Sequence, residues 1–216
     1  MDSAERFPSC AAMLGRLPAR AAHDLNNLIA ILGGNIYLAR SPGDLAESLG
    51  AMETAVAQLE RLSKSLAALG AVGGGQRRPL SVNALAQNAA EGNAAVQLDL
   101  ADPLPPVAGN EEDLTAALGC LIANAVEAAG PGGAVRVSTR AQGNAVLLAV
   151  EDSGPGIAPA IADRVFDPLF SARGGRGAGM GLFLVAAVTH AHATSCRLEP
   201  AAGGGTRASI LLPGAV

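Results

Sequence analysis

The sequence predicts an α+β protein in two parts: an N-terminal helical hairpin forming a dimeric four-helix bundle, then an α/β sandwich with helices on one sheet face. Three observations predict it. Two long amphipathic patterns, at about residues 9–40 and 44–69, flank a Pro42-Gly43 break. A glycine run, Gly73-Gly74-Gly75, follows the second pattern. Beyond it, short alternating stretches are interspersed with helical ones.

In the first helix Leu14, Ala21 and Leu28 recur every seven residues, as do Leu25 and Leu32. In the second, Leu45, Met52, Leu59 and Leu66 form a strict heptad, which favours a left-handed supercoil. A lone hairpin cannot bury both stripes, so a second copy is the expected partner; docking of the hairpin on its own C-terminal part is the alternative. The glycine run reads as a linker and divides the chain into residues 1–72 and 73–216. Asn83 is placed to cap a short helix over 84–91, and Val96–Leu100 alternates as a strand. An Ala/Leu-rich helix over 111–129 stops at Gly130-Pro131-Gly132-Gly133. Strands over 134–140 and 145–150 flank a Gln142-Gly143-Asn144 turn. A helix over 182–190 and strands over 197–199 and 207–212 complete the series.

Composition narrows the function classes. Half of the residues are hydrophobic but only 2% are aromatic, so Ala, Leu, Val and Ile must build the core. A net charge of −4 with no basic, aromatic-interleaved stripe argues against nucleic acid. Cys10, Cys120 and Cys196 are odd in number and widely spaced, which fits a reducing compartment and no disulfide framework. No apolar run approaches bilayer length and the first residues lack a signal-peptide pattern, so the expectation is a cytoplasmic protein with no membrane partner.

Five motifs carry the chemistry: His23-Asp24-Leu25-Asn26-Asn27, Asn124-Ala125-Val126-Glu127-Ala128, Asp152-Ser153-Gly154-Pro155-Gly156, Phe166-Asp167-Pro168-Leu169-Phe170 and Gly177-Ala178-Gly179-Met180-Gly181-Leu182. At about 100° per residue, Ala21, Leu28 and Leu32 cluster around Leu25, whereas His23 and Asn27 fall about 160° away. His23 therefore faces solvent, as a nucleophilic imidazole must, with Asn27 one turn on. A carboxylate at Asp24 can fix the imidazole tautomer. Taken alone, His23 would be an ordinary surface histidine. The Asn124 amide oxygen is a hard ligand of the kind Mg²⁺ takes, in a helix otherwise poor in polar residues. Glu127 fits a place near a metal or in water equally well. Asp152 ends a strand before Gly154 and Gly156, where the backbone can approach a flat ligand. The later glycines form a lid ending at a helix N-terminus, an anion site, without the Gly-Lys-Ser/Thr of a Walker loop.

Order and spacing of these motifs resemble the catalytic half of a two-component sensor histidine kinase, with a GHKL-type ATP-binding domain, over about residues 10–214. The resemblance implies that His23 accepts phosphate, that Asp24 is the general base and that Asn27 positions water for the reverse reaction. It implies an ATP·Mg²⁺ site made by Asn124 as metal holder, Asp152 on the adenine amino group, and Gly154, Gly156, Arg173, Gly177, Gly179 and Gly181. Gly203-Gly204-Gly205-Thr206 resembles the last glycine box. Implied partners are a response-regulator receiver domain and a second copy, with a separate sensor protein as a further candidate. Leu28 stands where the family often has Pro, Cys120 where kinases usually have Asn, and Arg173 where Lys is common. Cysteine cannot activate water as the Glu of gyrase-type ATPases does, which argues against an ATP-hydrolysing machine. With only about 22 residues before His23, no sensor domain fits. This keeps open a histidine phosphotransferase that relays phosphate between receivers and no longer binds ATP.

Overall fold

The computed structural model describes residues 10–39, 45–171 and 179–215, with backbone alone for residues 10–20 and Asp24. Two long helices come first, α1 (Cys10–Leu38) and α2 (Leu45–Ala71). α1 runs unbroken through Leu28, whose side chain is buried. Ala21 and Leu28 on α1 and the heptad-spaced Ser48, Ala55 and Leu62 on α2 are buried. Three of these five, Ala21, Ser48 and Ala55, are small. On α1, Leu25, Ile29 and Ile36 stay exposed, Ile29 by 58%; on α2, Leu45, Leu49 and Val56 do, Leu49 by 47%. The last turns of α2 enter the main core, where Leu62 is buried and Leu66 and Leu69 pack against it.

A five-stranded sheet follows, in the order β2 (Val96–Leu100), β4 (Val135–Gln142), β5 (Ala145–Asp152), β7 (Thr206–Pro213), β6 (Cys196–Pro200). The β2–β4 pairing is parallel and the others are antiparallel. Val137, Val146, Leu148, Val150, Ile210 and Leu212 share one buried core with α4 (Glu111–Ala129) and α5 (Gly181–Ala191). Acidic Glu111, Glu112 and Asp113 occupy the first turn of α4, and the Asn110 side chain accepts from Asp113 N–H, so the helix start is capped and its dipole countered. Gly130, at φ 68°, ends it. α5 is apolar almost all round, with Phe183, Leu184, Val185 and Val188 buried, the pattern of an internal helix.

The helix expected over 84–91 is α3 (Val82–Ala90), and its cap is Ser81 instead of Asn83. Ser81 has the extended backbone a cap needs and accepts from Ala84 N–H, whereas Asn83 donates to Ala101 O at 2.8 Å and accepts from Thr139 Oγ1 at 2.7 Å. Two three-residue strands, β1 (Arg78–Leu80) and β3 (Val107–Gly109), pair antiparallel and were too short to show alternation. A 3₁₀ helix spans Pro159–Arg164.

The glycine run is packed, not loose. Gly73 N–H donates to Asp113 Oδ2 at 3.1 Å, and Arg77 Nη2 donates to Ala191 O. A Cβ at Gly75 would overlap the Asn110 amide. Glycine is required here because the chain passes directly against the ends of α4 and α5.

Candidate nucleotide and phosphoacceptor sites

Asp152 closes β5 and is 8% exposed. Its Oδ1 accepts from Gly154 N–H at 2.8 Å and from Thr206 N–H at 3.3 Å. A Cβ at Gly154 would strike Ala128 O, and one at Gly205, at φ 89°, would overlap Asp152 O. Gly156 sits at φ 77° against Gly205 O. The two glycine boxes thus converge on one carboxylate and hold one of its oxygens by two backbone donors. Among the described residues Oδ2 accepts no hydrogen bond, so it can take one from an external donor.

On α4, half-buried Asn124 and Cys120, one turn apart, both face Gly181 at the start of α5; a Cβ on Gly181 would lie 3.5 Å from Asn124 Nδ2 and 3.7 Å from Cys120 Cβ. α5 begins at Gly181, whose cap residue Met180 makes no side-chain cap hydrogen bond, so the start of the helix lies beside the Asn124 amide. A carboxamide oxygen next to helix N–H donors suits a metal-bound phosphate. Burial pushes the Cys120 thiol up, keeping it neutral and unable to serve as a base. Glu127 is exposed.

Before residue 172, Phe166 and Pro168 are buried, Arg164 lies 4.7 Å over the Phe170 ring, and Leu169 takes φ 62°. Gly179, at φ 64°, presses on the Leu169–Phe170 backbone where no Cβ fits. Gly179 and Gly181 are therefore held at the base of the site. Arg173 and Gly177 lie outside the described residues.

His23 is exposed on α1, and Asn27 Nδ2 lies 3.2 Å from its Nδ1. Asn27 suits either tautomer. Its amide nitrogen donates to a bare Nδ1. Turned over, its oxygen accepts from Nδ1–H, which leaves the Nε2 lone pair unprotonated for attack. For Asp24 only the backbone, within α1, is described.

His192 and Asn110 went unnoticed in the sequence because no local spacing joins them. His192 is 3% exposed; its Nε2 accepts from Asn110 N–H at 3.0 Å and its Nδ1 lies 2.8 Å from Val188 O.

A family model described as histidine kinase-, DNA gyrase B-, and HSP90-like ATPase matches residues 109–216. The sensor histidine kinase ZraS of Escherichia coli (strain K12) is 27% identical over 212 residues, covering 93% of this chain and 45% of ZraS. This chain spans less than half the length of the curated relatives it matches. A crystal structure of the histidine kinase ThkA in complex with the response regulator protein TrrA shares the fold with TM-score 0.73 and 19% identity, covering 95% of this chain and 63% of that one. Full-length ShkA in complex with AMPPNP does so with TM-score 0.62 and 22% identity, covering 94% of this chain and 46% of that one.

Proposed function

This chain belongs to the histidine kinase-, DNA gyrase B- and HSP90-like ATPase family, and from that premise we propose that it is the catalytic core of a two-component protein histidine kinase. It binds ATP between the Asn124 helix, Asp152 and the lid glycines, phosphorylates His23, and passes the phosphoryl group to an aspartate of a response-regulator receiver. The observation that carries this reading is the pairing, in one chain, of the glycine-cradled Asp152 with an exposed histidine on a helical hairpin.

Asp152 Oδ2 accepts from the adenine amino group. Asn124 would hold Mg²⁺ through its amide oxygen, and the ion when bound would neutralise phosphate charge. The resemblance gives Arg173, which lies outside the described residues, a contact with the terminal phosphate. His23 Nε2 attacks the γ-phosphorus in line, the bond to the leaving ADP oxygen breaks, and the proton on Nδ1 passes to Asp24. Asn27 orients the ring, and water in the reverse reaction. Cys120, in place of a water-activating carboxylate, argues against an ATP-hydrolysing machine and is neutral about transfer to His23. The retained Asp152 cradle favours a kinase over a relay that has lost ATP.

Residues 1–72 form the phosphotransfer and dimerisation unit and 73–216 the ATP-binding unit. The exposed Leu25, Ile29 and Ile36 and Leu45, Leu49 and Val56 support a second copy completing a four-helix bundle. The likeness to ThkA, solved with TrrA, supports the receiver partner. No described helix is long and apolar enough to cross a membrane; we place the core in the cytoplasm, where ATP is available. Incubation with Mg²⁺ and labelled ATP should give acid-labile, base-stable phosphate that His23→Ala removes. Persistent label in that variant would move the site, and its absence from wild type with bound ATP would promote the relay.

A further inference from the structure

We infer that His192 is a positioning residue that couples the linker at residues 73–77 to the nucleotide site, an inference that rests on the function proposed above. A backbone N–H can only donate, so His192 Nε2, which receives Asn110 N–H, carries no proton. Its Nδ1, 2.8 Å from Val188 O, therefore carries the proton. The imidazole is a neutral bridge with both nitrogens used. It ties the C-terminal end of α5 to the residue that caps α4.

From Asn110 the connection continues outward. Asn110 Oδ1 accepts from Asp113 N–H at 3.0 Å, and Asp113 Oδ2 accepts from Gly73 N–H at 3.1 Å. A second tie, Arg77 to Ala191 O, lands one residue before His192. The linker leaving α2 is thus fastened to both helices at one end of the α4–α5 pair.

The other end of that pair is the nucleotide site. α4 and α5 run antiparallel, since Asn110 meets His192 at one end and Asn124 meets Gly181 at the other. Fourteen residues of α4 span about 21 Å. Packed helices move as rigid bodies, so a shift of α5 against α4 at His192 displaces Gly181 relative to Asn124. Coupling of this kind is reciprocal: a docked linker sets nucleotide affinity, and nucleotide sets linker docking.

The test uses the full chain, AMPPNP with Mg²⁺ as probe, and amide hydrogen exchange. His192→Phe keeps a ring of similar size but loses both nitrogens; His192→Gln keeps an acceptor for Asn110 N–H. In His192→Phe, exchange at residues 73–77 should rise about tenfold and AMPPNP should bind about fivefold or more weakly. His192→Gln should restore both to within about twofold. In wild type, AMPPNP should slow exchange at residues 73–77. A folded His192→Phe with wild-type exchange and affinity overturns the inference. Where His192→Phe does not fold, Asp113→Ala cuts the same connection at the linker; a freed linker with unchanged affinity, or an unchanged linker, overturns it equally. Wild type that fails to bind AMPPNP defeats the kinase reading and the coupling, while the exchange comparison still decides whether His192 holds the linker.

Discussion

The hairpin and the sheet domain bury apolar surface in opposite ways. The sheet domain closes on itself: Phe183, Val137, Val146 and Val185 are wholly inaccessible, and every buried side-chain polar atom among the described residues has a hydrogen-bond partner. The hairpin closes along one narrow seam of Ala21, Leu28, Ser48 and Ala55, and presents its larger residues, Ile29, Ile36, Leu45 and Leu49, to solvent. One region is complete in a single chain. The other buries Ala21, Ser48 and Ala55 beside Leu28 and leaves several of its large residues exposed. The candidate site residues divide along the same line, with Asp152 held by two backbone donors in the closed region and the exposed His23 in the open one.

Breaking the open region should have the largest effect. Burying one Leu contributes about 1.5–3 kcal/mol. Leu59→Glu, repeated in both subunits, should therefore weaken the dimer by about 3–6 kcal/mol, or about 10²–10⁴-fold. Light scattering should give monomers that still bind ATP. A wild-type monomer at micromolar concentration would show instead that the hairpin needs no second copy. Removing the carboxylate beside His23 comes next: Asp24→Asn should slow autophosphorylation by about 10²–10⁴, measured by single-turnover labelling. A loss below about threefold would give Asp24 a purely structural role.

The closed region should respond through ligand binding. At about a hundredfold excess over its dissociation constant, Mg·ATP should stabilise that domain by about 2.7 kcal/mol, and Asp152→Ala should abolish the thermal shift without dissociating the dimer. The smallest effect appears only in alkali. Burial raises the Cys196 thiol to about 12 from 9.0. The unfolded thiol ionises first, so this contribution is intact below pH 9.0 and is lost as pH rises toward 12. Urea titrations should show Cys196→Ala less stable at neutral pH but with a flatter decline above pH 9.0. Parallel declines would mean the thiol is not held neutral by the core.

What the sequence reveals divides along the same boundary. Helices and long strands were legible because their periodicities are local, as in the Leu45–Leu66 heptad and in β5. The Asp152 and glycine boxes were legible as a motif set, yet their convergence on one oxygen through Gly154 and Thr206 is set by sheet pairing. The Asn83 cap was misread because the buried Thr139 that captures its side chain lies 56 residues away. Gly73-Gly74-Gly75 reads as a tether in sequence, since nothing local reveals the ends of α4 and α5 against it. His192 and Asn110, 82 residues apart, left no periodic trace at all.

Strand β7 lies between β5 and β6, inside the sheet, yet it is the last strand in chain order. On the ribosome the sheet therefore has a gap at an interior position until Thr206–Pro213 clears the exit tunnel.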